Sequence, residues 1–314
     1  MALRVLVVGA GYMGRAHARV VKELSREMEV RLTGVVDKDP AAARRASELF
    51  GVRAFTSLEE ALEKAGADAA VVATPTRTHV EVADALLRAG VGRVLIEKPL
   101  DASLERALEF SHRWRGREGD IMVGYIERFN PAFQLAREEV ESGSLGEILT
   151  LYARRVGPFT ARVMDVGVTL DLATHDLDLL YTMRRRVPRV IDSYVRSVKS
   201  RGAEDLMVAS LELDGFRVTL EANRVTAYKE RRWIVTGSEA VLQLDFMAQK
   251  VSVHRPRWVK ESRLEWREPL LLEDRAFLES ALTGESVPVP LSEALASFKV
   301  AHEIVAKASP QQAL

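Results

Sequence analysis

Short apolar runs alternate with helix-like segments through the first 124 residues. The runs are hydrophobic at nearly every position, which is typical of parallel strands buried on both faces. They occur at 3–8, 31–36, 52–55, 69–73, 93–96 and 121–124. Helices are predicted between them, and some begin with capping residues such as Asp39-Pro40 or Ser57. This alternation predicts an α/β fold built on a doubly wound parallel sheet.

The pattern changes after residue 124, where longer segments alternate apolar and polar residues. These predicted strands lie at 148–155, 190–198, 206–213, 216–222, 231–236 and 240–244. Asp214-Gly215 and Gly237-Ser238 separate successive strands, so antiparallel hairpins are expected. Predicted helices occupy 131–140, 170–183, 271–282 and 292–308. We therefore predict two domains: residues 1–123 with the parallel sheet, and residues 124–314 as an α+β domain with a mostly antiparallel open sheet.

Composition narrows the class of protein. The formal net charge is zero and cysteine is absent, which argues against a nucleic-acid or membrane partner, disulfides and thiolate metal sites. No run of 18 apolar residues occurs, and a strand begins at Leu3, so a soluble cytoplasmic protein without a signal peptide is expected. Two asparagines, five glutamines and a 35-to-10 excess of arginine over lysine suggest a thermophilic source.

A glycine-rich turn follows the first predicted strand. Gly9, Gly11 and Gly14 have the G-x-G-x-x-G spacing, which allows a tight turn, close approach of a pyrophosphate and close helix packing. Glycines also mark ordinary turns, but Asp37 ends the second strand 23 residues after Gly14, where a ribose-binding acid belongs. The unit is therefore predicted to be a Rossmann domain that prefers NAD to NADP, with Lys38 softening the preference.

Two further motifs carry candidate chemistry. Glu97-Lys98-Pro99 ends a parallel strand, so Lys98 is expected to orient a substrate hydroxyl, although a solvated lysine before a turn is equally compatible. Asp171 and His175 lie four residues apart on a predicted helix, where the histidine could act as a base. A capping aspartate and a partly buried histidine are the alternative. We interpret Asp176 and Asp178 as ordinary first-turn acids favoured by the helix dipole.

These residues together resemble the glucose–fructose oxidoreductase and inositol dehydrogenase (Gfo/Idh/MocA) family over essentially the whole chain. The matching motifs are Gly9 to Gly14, Thr74-Pro75 with His79, Glu97-Lys98-Pro99, and Asp171 with His175. The resemblance implies a catalytic triad of Lys98, Asp171 and His175 that oxidises a ring hydroxyl, and a cis Lys98–Pro99 bond. The implied cofactor residues are Gly9, Gly11, Tyr12, Met13, Gly14, Asp37, Lys38, Thr74, Pro75, His79, Glu97 and Lys98.

A narrower resemblance covers residues 125–131, 153–159 and 165–178, which look like family members that oxidise the 3-hydroxyl of UDP-N-acetylglucosamine. Arginines in these segments could hold a diphosphate through bidentate contacts, or could simply be solvated strand residues. The arginines expected around the site are Arg128, Arg154, Arg155 and Arg162. The predicted substrate contacts are Lys98, Arg128, Asn130, Arg155, Arg162, Asp171 and His175.

The leading hypothesis is an NAD-dependent dehydrogenase of UDP-N-acetylglucosamine. Another sugar or a polyol such as myo-inositol is the nearest alternative substrate. An NAD-recycling glycosidase is the next hypothesis, and a non-enzymatic dinucleotide or sugar sensor is the last. Six histidines without ligand-like clustering argue against a metal. Because family members commonly pair through the second-domain sheet, a homodimer or homotetramer is expected.

Overall fold

The computed structural model describes residues 2–160, 165–200 and 202–308. Within this range the chain forms two compact units. The first unit contains the chain up to Tyr125 and the later segment Leu270–Leu295, and the second contains Ile126–Pro269 and the chain from Ala296 onward. The first division between the units, after Tyr125, lies two residues beyond the predicted boundary at residue 123. Residues 270–295, which the prediction places in the second domain, cluster with the first unit.

The first unit is a doubly wound α/β structure, as predicted. Its strands are β1 (Leu3–Val8), β2 (Val30–Val36), β3 (Arg53–Phe55), β4 (Ala69–Val72), β5 (Arg93–Glu97) and β6 (Ile121–Gly124). The helices between them are α1 (Tyr12–Leu24), α2 (Pro40–Phe50), α3 (Leu58–Lys64), α4 (His79–Arg88) and α5 (Leu104–Arg113). All pairs are parallel, in the order β3-β2-β1-β4-β5-β6. The connections therefore reverse direction between β1 and β4, which is where ligands of such sheets bind.

Local sequence signals set several helix ends in this unit. Asp39 accepts the amide of Ala41 as the N-cap of α2, and Gly51 ends that helix in the left-handed conformation at φ 62°. Ser57 accepts the amide of Glu60 at the start of α3. Asp39 and Ser57 are the capping residues read from the sequence.

The returning segment completes the first unit. Helix α8 (Pro269–Thr283) lies within it, and the extended residues after α8 approach the edge strand β6. The Val123 amide donates to the carbonyl of Val289 at 3.1 Å, and Met122 pairs with Pro290. No local signal in the sequence predicts this return, because it joins residues more than 160 positions apart.

The second unit is α+β, as predicted. Its elements are α6 (Pro131–Glu141), β7 (Ile148–Val156), α7 (Thr174–Arg184), β8 (Arg189–Arg196), β9 (Leu206–Leu213), β10 (Phe216–Asn223), β11 (Glu230–Gly237), β12 (Val241–Asp245), β13 (Lys250–Arg255), β14 (Trp258–Glu261) and most of α9 (Leu291–Lys307). The strands form one sheet in the order β14-β13-β12-β11-β7-β10-β9-β8. Only β7 and β10 pair in parallel among these neighbours. Strands β13 and β14 were not predicted from the sequence.

Apolar and polar side chains alternate along the strands of this sheet, so one face is buried and the other is more exposed. Trp233 of β11 lies on the buried face and packs edge-on against Phe133 and Phe246, with ring centroids 5.9 and 5.8 Å away. In the part of the chain that is described, no helix is long and apolar enough to cross a membrane.

Candidate active site

Loops at the carboxyl edge of the parallel sheet hold the predicted cofactor residues of the first unit. The glycine-rich turn follows β1, Asp37 follows β2, Thr74-Pro75 follows β4 and Lys98 follows β5. Because all these strands are parallel, their carboxyl ends meet at one edge. The structure therefore brings these predicted residues to the same edge, at the switch between β1 and β4.

The glycine-rich turn has open space at Gly11, where a phosphate could approach. At Gly9 and Gly14, by contrast, any side chain would clash with the backbone. A Cβ on Gly9, whose φ is 103°, would lie 2.4 Å from the carbonyl oxygen of Ala73, and one on Gly14 would lie 1.7 Å from that of Gly9. A Cβ on Gly11 would meet no atom within 4 Å. Gly11 is also the N-cap of α1 and provides no side chain to cap the first amides. This open helix N-terminus fits the pyrophosphate of a dinucleotide.

Asp37 is tied to the same turn. One carboxylate oxygen accepts the amide of Ala10 at 2.7 Å and the other accepts the amide of Asp39 at 2.9 Å. The Gly9 amide also donates to the carbonyl of Val36 at 2.7 Å. The acid expected to bind a ribose is therefore fixed next to the turn expected to bind the pyrophosphate. Tyr12 is 59% exposed at the start of α1, and Met13 beside it is half-buried.

His79 joins two of the edge loops. Its Nδ1 lies 2.9 Å from the carbonyl oxygen of Pro99, and its Nε2 lies 2.8 Å from that of Thr74. The ring is 2% exposed. These contacts connect the loop after β4 to the loop after β5, so the structure gives His79 a role in loop placement. A direct cofactor contact by its ring stays a prediction.

The loop after β5 carries the predicted catalytic lysine. The Lys98–Pro99 bond is cis, as the family resemblance implied. The Lys98 amide donates to one carboxylate oxygen of Glu97 at 3.0 Å, and the other oxygen lies 2.9 Å from Nε2 of His17. Glu97 is buried while Lys98 is half-buried. Glu97 therefore holds the backbone that presents Lys98.

In the second unit, Asp171 and His175 lie on one continuous helical segment. Residues Thr169–Ala173 form a π-helical turn that leads directly into α7, so Asp171 lies in the wide turn and His175 in the first turn of the α-helix. The carboxylate of Glu204 accepts the Thr169 amide at 2.9 Å and caps the segment. π-Turns inside helices occur frequently at functional sites. The sequence predicted the helix and not its local widening.

The two acids after His175 are anchors of α7, and their interpretation as ordinary first-turn acids is wrong. Asp178 is fully buried and accepts Nε and Nη2 of Arg128 at 2.7 and 2.6 Å. Asp176 accepts Nε and Nη2 of Arg155 at 2.8 and 3.1 Å, and Nε1 of Trp233 at 2.8 Å. Bidentate pairs of this kind fix both partners in orientation as well as position. They hold the first turns of α7, directly after His175.

Glu127 extends this buried network. It accepts Nη1 of Arg155 at 2.8 Å and Nη1 of Arg231 at 3.2 Å. Burial acts to raise the pKa of Glu127, but the charges of Arg155 and Arg231 and hydrogen bonds from Arg155 and Asn130 outweigh it, so the pKa is lowered. Burial likewise acts to lower the pKa of Arg155, and Asp176 and Glu127 raise it. Both groups are therefore charged in the folded protein at neutral pH.

The predicted substrate residues thus lie in different environments. Arg128 and Arg155 are 5% and 2% exposed in carboxylate pairs, and Asn130 is buried as the N-cap of α6, where it donates to Glu127 and to the carbonyl of Phe246. Arg154 lies one position before Arg155 in β7 and pairs with Glu221 and Glu230. Arg162 lies outside the described residues. Direct substrate contacts by these residues stay predictions.

Arg231 is a candidate that sequence reasoning missed. It is paired in register with Arg155 across β7 and β11, so the two side chains project from the same face of the sheet. Its side chain is 45% exposed while its partner Glu127 is buried. A strand arginine next to Arg232 in an arginine-rich chain carries no sequence signal that would distinguish it.

The parallel sheet and the glycine-rich turn of the first unit are those of a dinucleotide-binding domain. Residues 3–125 match the sequence profile of an oxidoreductase family with an NAD-binding Rossmann fold, GFO/IDH/MocA, and residues 133–243 match the profile of the GFO/IDH/MocA C-terminal domain. The chain is also 31% identical over 254 residues to UDP-N-acetylglucosamine 3-dehydrogenase of Acidithiobacillus ferrooxidans, covering 80% of this chain and 77% of that protein. The chain belongs to the Gfo/Idh/MocA family of oxidoreductases.

Similar proteins in this family act on more than one substrate. Inositol 2-dehydrogenase of Corynebacterium glutamicum is 31% identical over 228 residues, covering 70% of this chain and 67% of the relative. The solved structure of the Acidithiobacillus ferrooxidans UDP-N-acetylglucosamine 3-dehydrogenase superposes with a TM-score of 0.86 at 26% identity, covering 98% of each chain. A levoglucosan dehydrogenase in complex with NADH and levoglucosan gives a TM-score of 0.87 at 18% identity over 98% and 97% of the two chains, which shows the shared fold.

Proposed function

We propose that this protein oxidises the 3-hydroxyl of UDP-N-acetylglucosamine to the 3-keto sugar with NAD as the acceptor. The observation that carries the proposal is the similarity to UDP-N-acetylglucosamine 3-dehydrogenase, which extends over both units in sequence and in structure. The open glycine turn and the tethered Asp37 support a dinucleotide cofactor. The acid at position 37 favours NAD, because a carboxylate beside the ribose repels a 2′-phosphate.

In this proposal the protein provides binding, orientation and proton transfer. Gly11 and the N-terminus of α1 hold the pyrophosphate, and Asp37 holds the adenosine ribose. A bound oxidised nicotinamide supplies the acceptor for the hydride that leaves the carbinol carbon. Lys98 donates a hydrogen bond to the reacting hydroxyl and stabilises the negative charge that develops on its oxygen.

His175 is proposed as the general base and Asp171 as its supporting acid. The hydroxyl proton passes to the imidazole as the carbon–oxygen bond becomes a carbonyl. An adjacent carboxylate favours the imidazolium that results. The anchoring of α7 through Asp176 and Asp178 supports this role, since a base must be held in register with the proton it removes.

A nucleotide sugar also needs a cation for its diphosphate. Among the arginines of the buried network, Arg231 is the one with a substantially exposed side chain, and we propose it for this contact. A planar guanidinium matches phosphate oxygens in a bidentate manner. Arg128 and Arg155 would then act by holding the surrounding segments in place.

The test is a substrate screen on the purified protein. NADH formation at 340 nm would be measured with UDP-N-acetylglucosamine, UDP-glucose, free N-acetylglucosamine and myo-inositol, and products would be identified by mass spectrometry. We expect the highest kcat/KM with UDP-N-acetylglucosamine and a mass loss of two hydrogens. Equal activity with the free sugar would contradict a diphosphate contact. Release of free sugar without net NADH would indicate the glycosidase hypothesis instead.

A polyol is the second candidate substrate, and its support is the 31% identity to inositol 2-dehydrogenase over two thirds of both chains. In that case the exposed arginine would have no phosphate to bind. Arg231→Ala then separates the candidates: it should raise KM for a nucleotide sugar and leave KM for myo-inositol unchanged.

We also propose the oligomeric state, the cellular location and the kind of source organism that the sequence suggests. A homodimer or homotetramer through the antiparallel sheet is supported by exposed apolar side chains on β8 and β9, namely Ile191, Tyr194 and Val208. A cytoplasmic location is supported by the cysteine-free composition. A thermophilic source is supported by the low content of asparagine and glutamine.

A further inference from the structure

A histidine of the first helix lies between two carboxylates inside the first unit. Nδ1 of His17 is 2.8 and 3.0 Å from the two oxygens of Asp274, which lies on the returning helix α8. Nε2 of His17 is 2.9 Å from Oε1 of Glu97 at the end of β5. The ring is fully buried, and the side chains of Asp274 and Glu97 are 1% and 8% exposed. The three residues come from sequence positions 17, 97 and 274.

This geometry requires a charged ring. A carboxylate accepts hydrogen bonds, so both ring nitrogens must carry a proton, which only the imidazolium does. Burial acts to lower the pKa of His17, but the charge and hydrogen bonds of Asp274, followed by those of Glu97, raise it well above 6.5. Burial acts to raise the pKa of Glu97, while His17 and the charges of Lys98 and His79 lower it.

The network ends at the backbone of the proposed catalytic lysine. Glu97 uses one oxygen for His17 and the other for the amide of Lys98. A carboxylate with both oxygens engaged cannot rotate without breaking one contact. The orientation of Glu97 therefore depends on His17, and the peptide that presents Lys98 depends on Glu97.

We propose that His17 is a positioning residue for Lys98: as an imidazolium supported by Asp274, it orients Glu97, which in turn fixes the Lys98 backbone at the carboxyl edge of the sheet. The proposal rests on the proposed function of Lys98 in orienting a substrate hydroxyl. It assigns a role to a histidine of α1 that bonds to Glu97 and Asp274, and it makes α8 part of the support of the site.

Two amide substitutions test the two hydrogen bonds of His17 separately. The side-chain nitrogen of asparagine falls near the position of Nδ1, and that of glutamine near the position of Nε2. His17→Asn therefore keeps a donor toward Asp274 and loses the donor toward Glu97, whereas His17→Gln does the reverse. Arg19→Gln, on the exposed face of the same helix, is the matched control.

We expect His17→Asn to lower kcat by roughly 10- to 100-fold, since loss of a supporting contact that misplaces a reacting group has effects of this size. His17→Gln should lose much less turnover, although both variants lower the melting temperature. The KM for NAD should stay within about threefold in both, because the pyrophosphate site is backbone. Equal loss of kcat in the two variants, or a larger loss in His17→Gln, would overturn the proposal.

A second measurement does not depend on the substrate. The rate at which acetic anhydride labels Lys98, relative to exposed Lys22, would be followed by peptide mass spectrometry in the folded proteins. His17→Asn should change this ratio, and His17→Gln and Arg19→Gln should leave it near the native value. An unchanged ratio in His17→Asn would overturn the positioning role. If the native protein oxidises no sugar or polyol, the proposed function fails while the labelling result still decides this inference.

The native protein should also show a characteristic loss of turnover at high pH. As pH rises through the raised pKa of His17, one ring proton is lost and a contact to Glu97 or Asp274 is broken. The titratable groups facing the network are Asp274 of α8, Glu97 of β5, and Lys98 and His79 around Glu97. An amide does not titrate, so the pH profile of His17→Gln should lack this loss of turnover at high pH. Persistence of the same loss of turnover in His17→Gln would count against a positioning role for the His17 imidazolium.

Discussion

Removal of the Arg155 side chain is the sharpest test of the buried network around α7. Arg155 is 2% exposed and donates to Asp176 through Nε and Nη2 and to Glu127 through Nη1. Its guanidinium also lies over the ring of Phe246, with 5.3 Å from Cζ to the ring centroid. Arg155→Ala leaves two buried carboxylates with fewer donors and less positive charge.

The expected loss in the free energy of unfolding follows from the burial of Arg155 and of the carboxylates that it pairs with. Breaking a buried ion pair by removing one member costs about 3–5 kcal/mol, because the remaining charge stays desolvated. Arg231 and Trp233 still donate to Glu127 and Asp176, so we expect the lower part of this range. For a unit of this size a loss of 1 kcal/mol lowers the melting temperature by about 2–4 °C, so a decrease of roughly 10 °C is expected.

The assay is thermal unfolding followed by circular dichroism, with Arg154→Ala as the matched control. Arg154 is the residue before Arg155 in β7, so its side chain projects from the opposite face, where it pairs with Glu221 and Glu230 and is 21% exposed. Its removal should cost less than removal of Arg155, because Arg154 and its carboxylate partners keep more contact with water. A similar decrease in melting temperature in both variants would refute the claim that the buried pairs of Arg155 contribute more to stability than the pairs of Arg154.

The pH dependence gives an independent check with a defined sign. In the native protein the pKa of Glu127 is lowered below 4.5, so its stabilising effect is present above 4.5 and is lost as pH falls through the lowered value. Without Arg155 the main attraction is gone, and burial should raise that pKa instead. The decrease in stability caused by Arg155→Ala should therefore become smaller as pH falls from 7 to 5. An unchanged melting temperature with a raised substrate KM would show that Arg155 contacts substrate directly and that the buried-pair reasoning is wrong.

Three further predictions concern the cofactor, the base and assembly. Asp37→Ser should shift kcat/KM toward NADP. It should also weaken binding of both cofactors, because serine cannot keep both the Ala10 and Asp39 contacts. Equal use of NAD and NADP by the native protein would contradict the assignment of Asp37 to the ribose. His175→Ala should lower turnover by roughly 100- to 10,000-fold with NAD affinity retained, and adding Lys98→Ala should cost much less than the product of the single losses. Light scattering at micromolar concentration should give a multiple of 34.9 kDa, and a mass near one chain would contradict the proposed oligomer.

Much of the framework could be predicted because its signals are local. Continuous apolar runs indicated the buried parallel strands, and Asp39, Gly51 and Ser57 are capping residues whose effect is confined to one turn. The Asp214-Gly215 turn joins β9 and β10 as an antiparallel hairpin, with φ of 49° and 87° at the two residues. Such features depend on neighbours within a few positions, which a single sequence contains.

The remaining features depend on contacts or exposure that a sequence does not display. Strand β14 is exposed at all four residues and so has no apolar alternation to detect. Asp176 and Asp178 look like acids placed by the helix dipole, and only the buried arginines opposite them reveal their role. The π-turn at residues 169–173 is equally invisible, since its composition is that of an ordinary helix start.

The return of residues 270–295 to the first unit has a consequence for synthesis on the ribosome. A nascent chain that has emerged only to Tyr125 has all six parallel strands but lacks the carbonyl of Val289 beside β6 and the carboxylate of Asp274 beside His17. Domains usually fold in order of emergence, but this one cannot finish until the chain has been translated past Leu295. Until then the β6 edge is open to pairing with another chain, which is a known route to aggregation. The dinucleotide-binding unit is thus begun before the second unit is made and completed only after Ile126–Pro269 has been made.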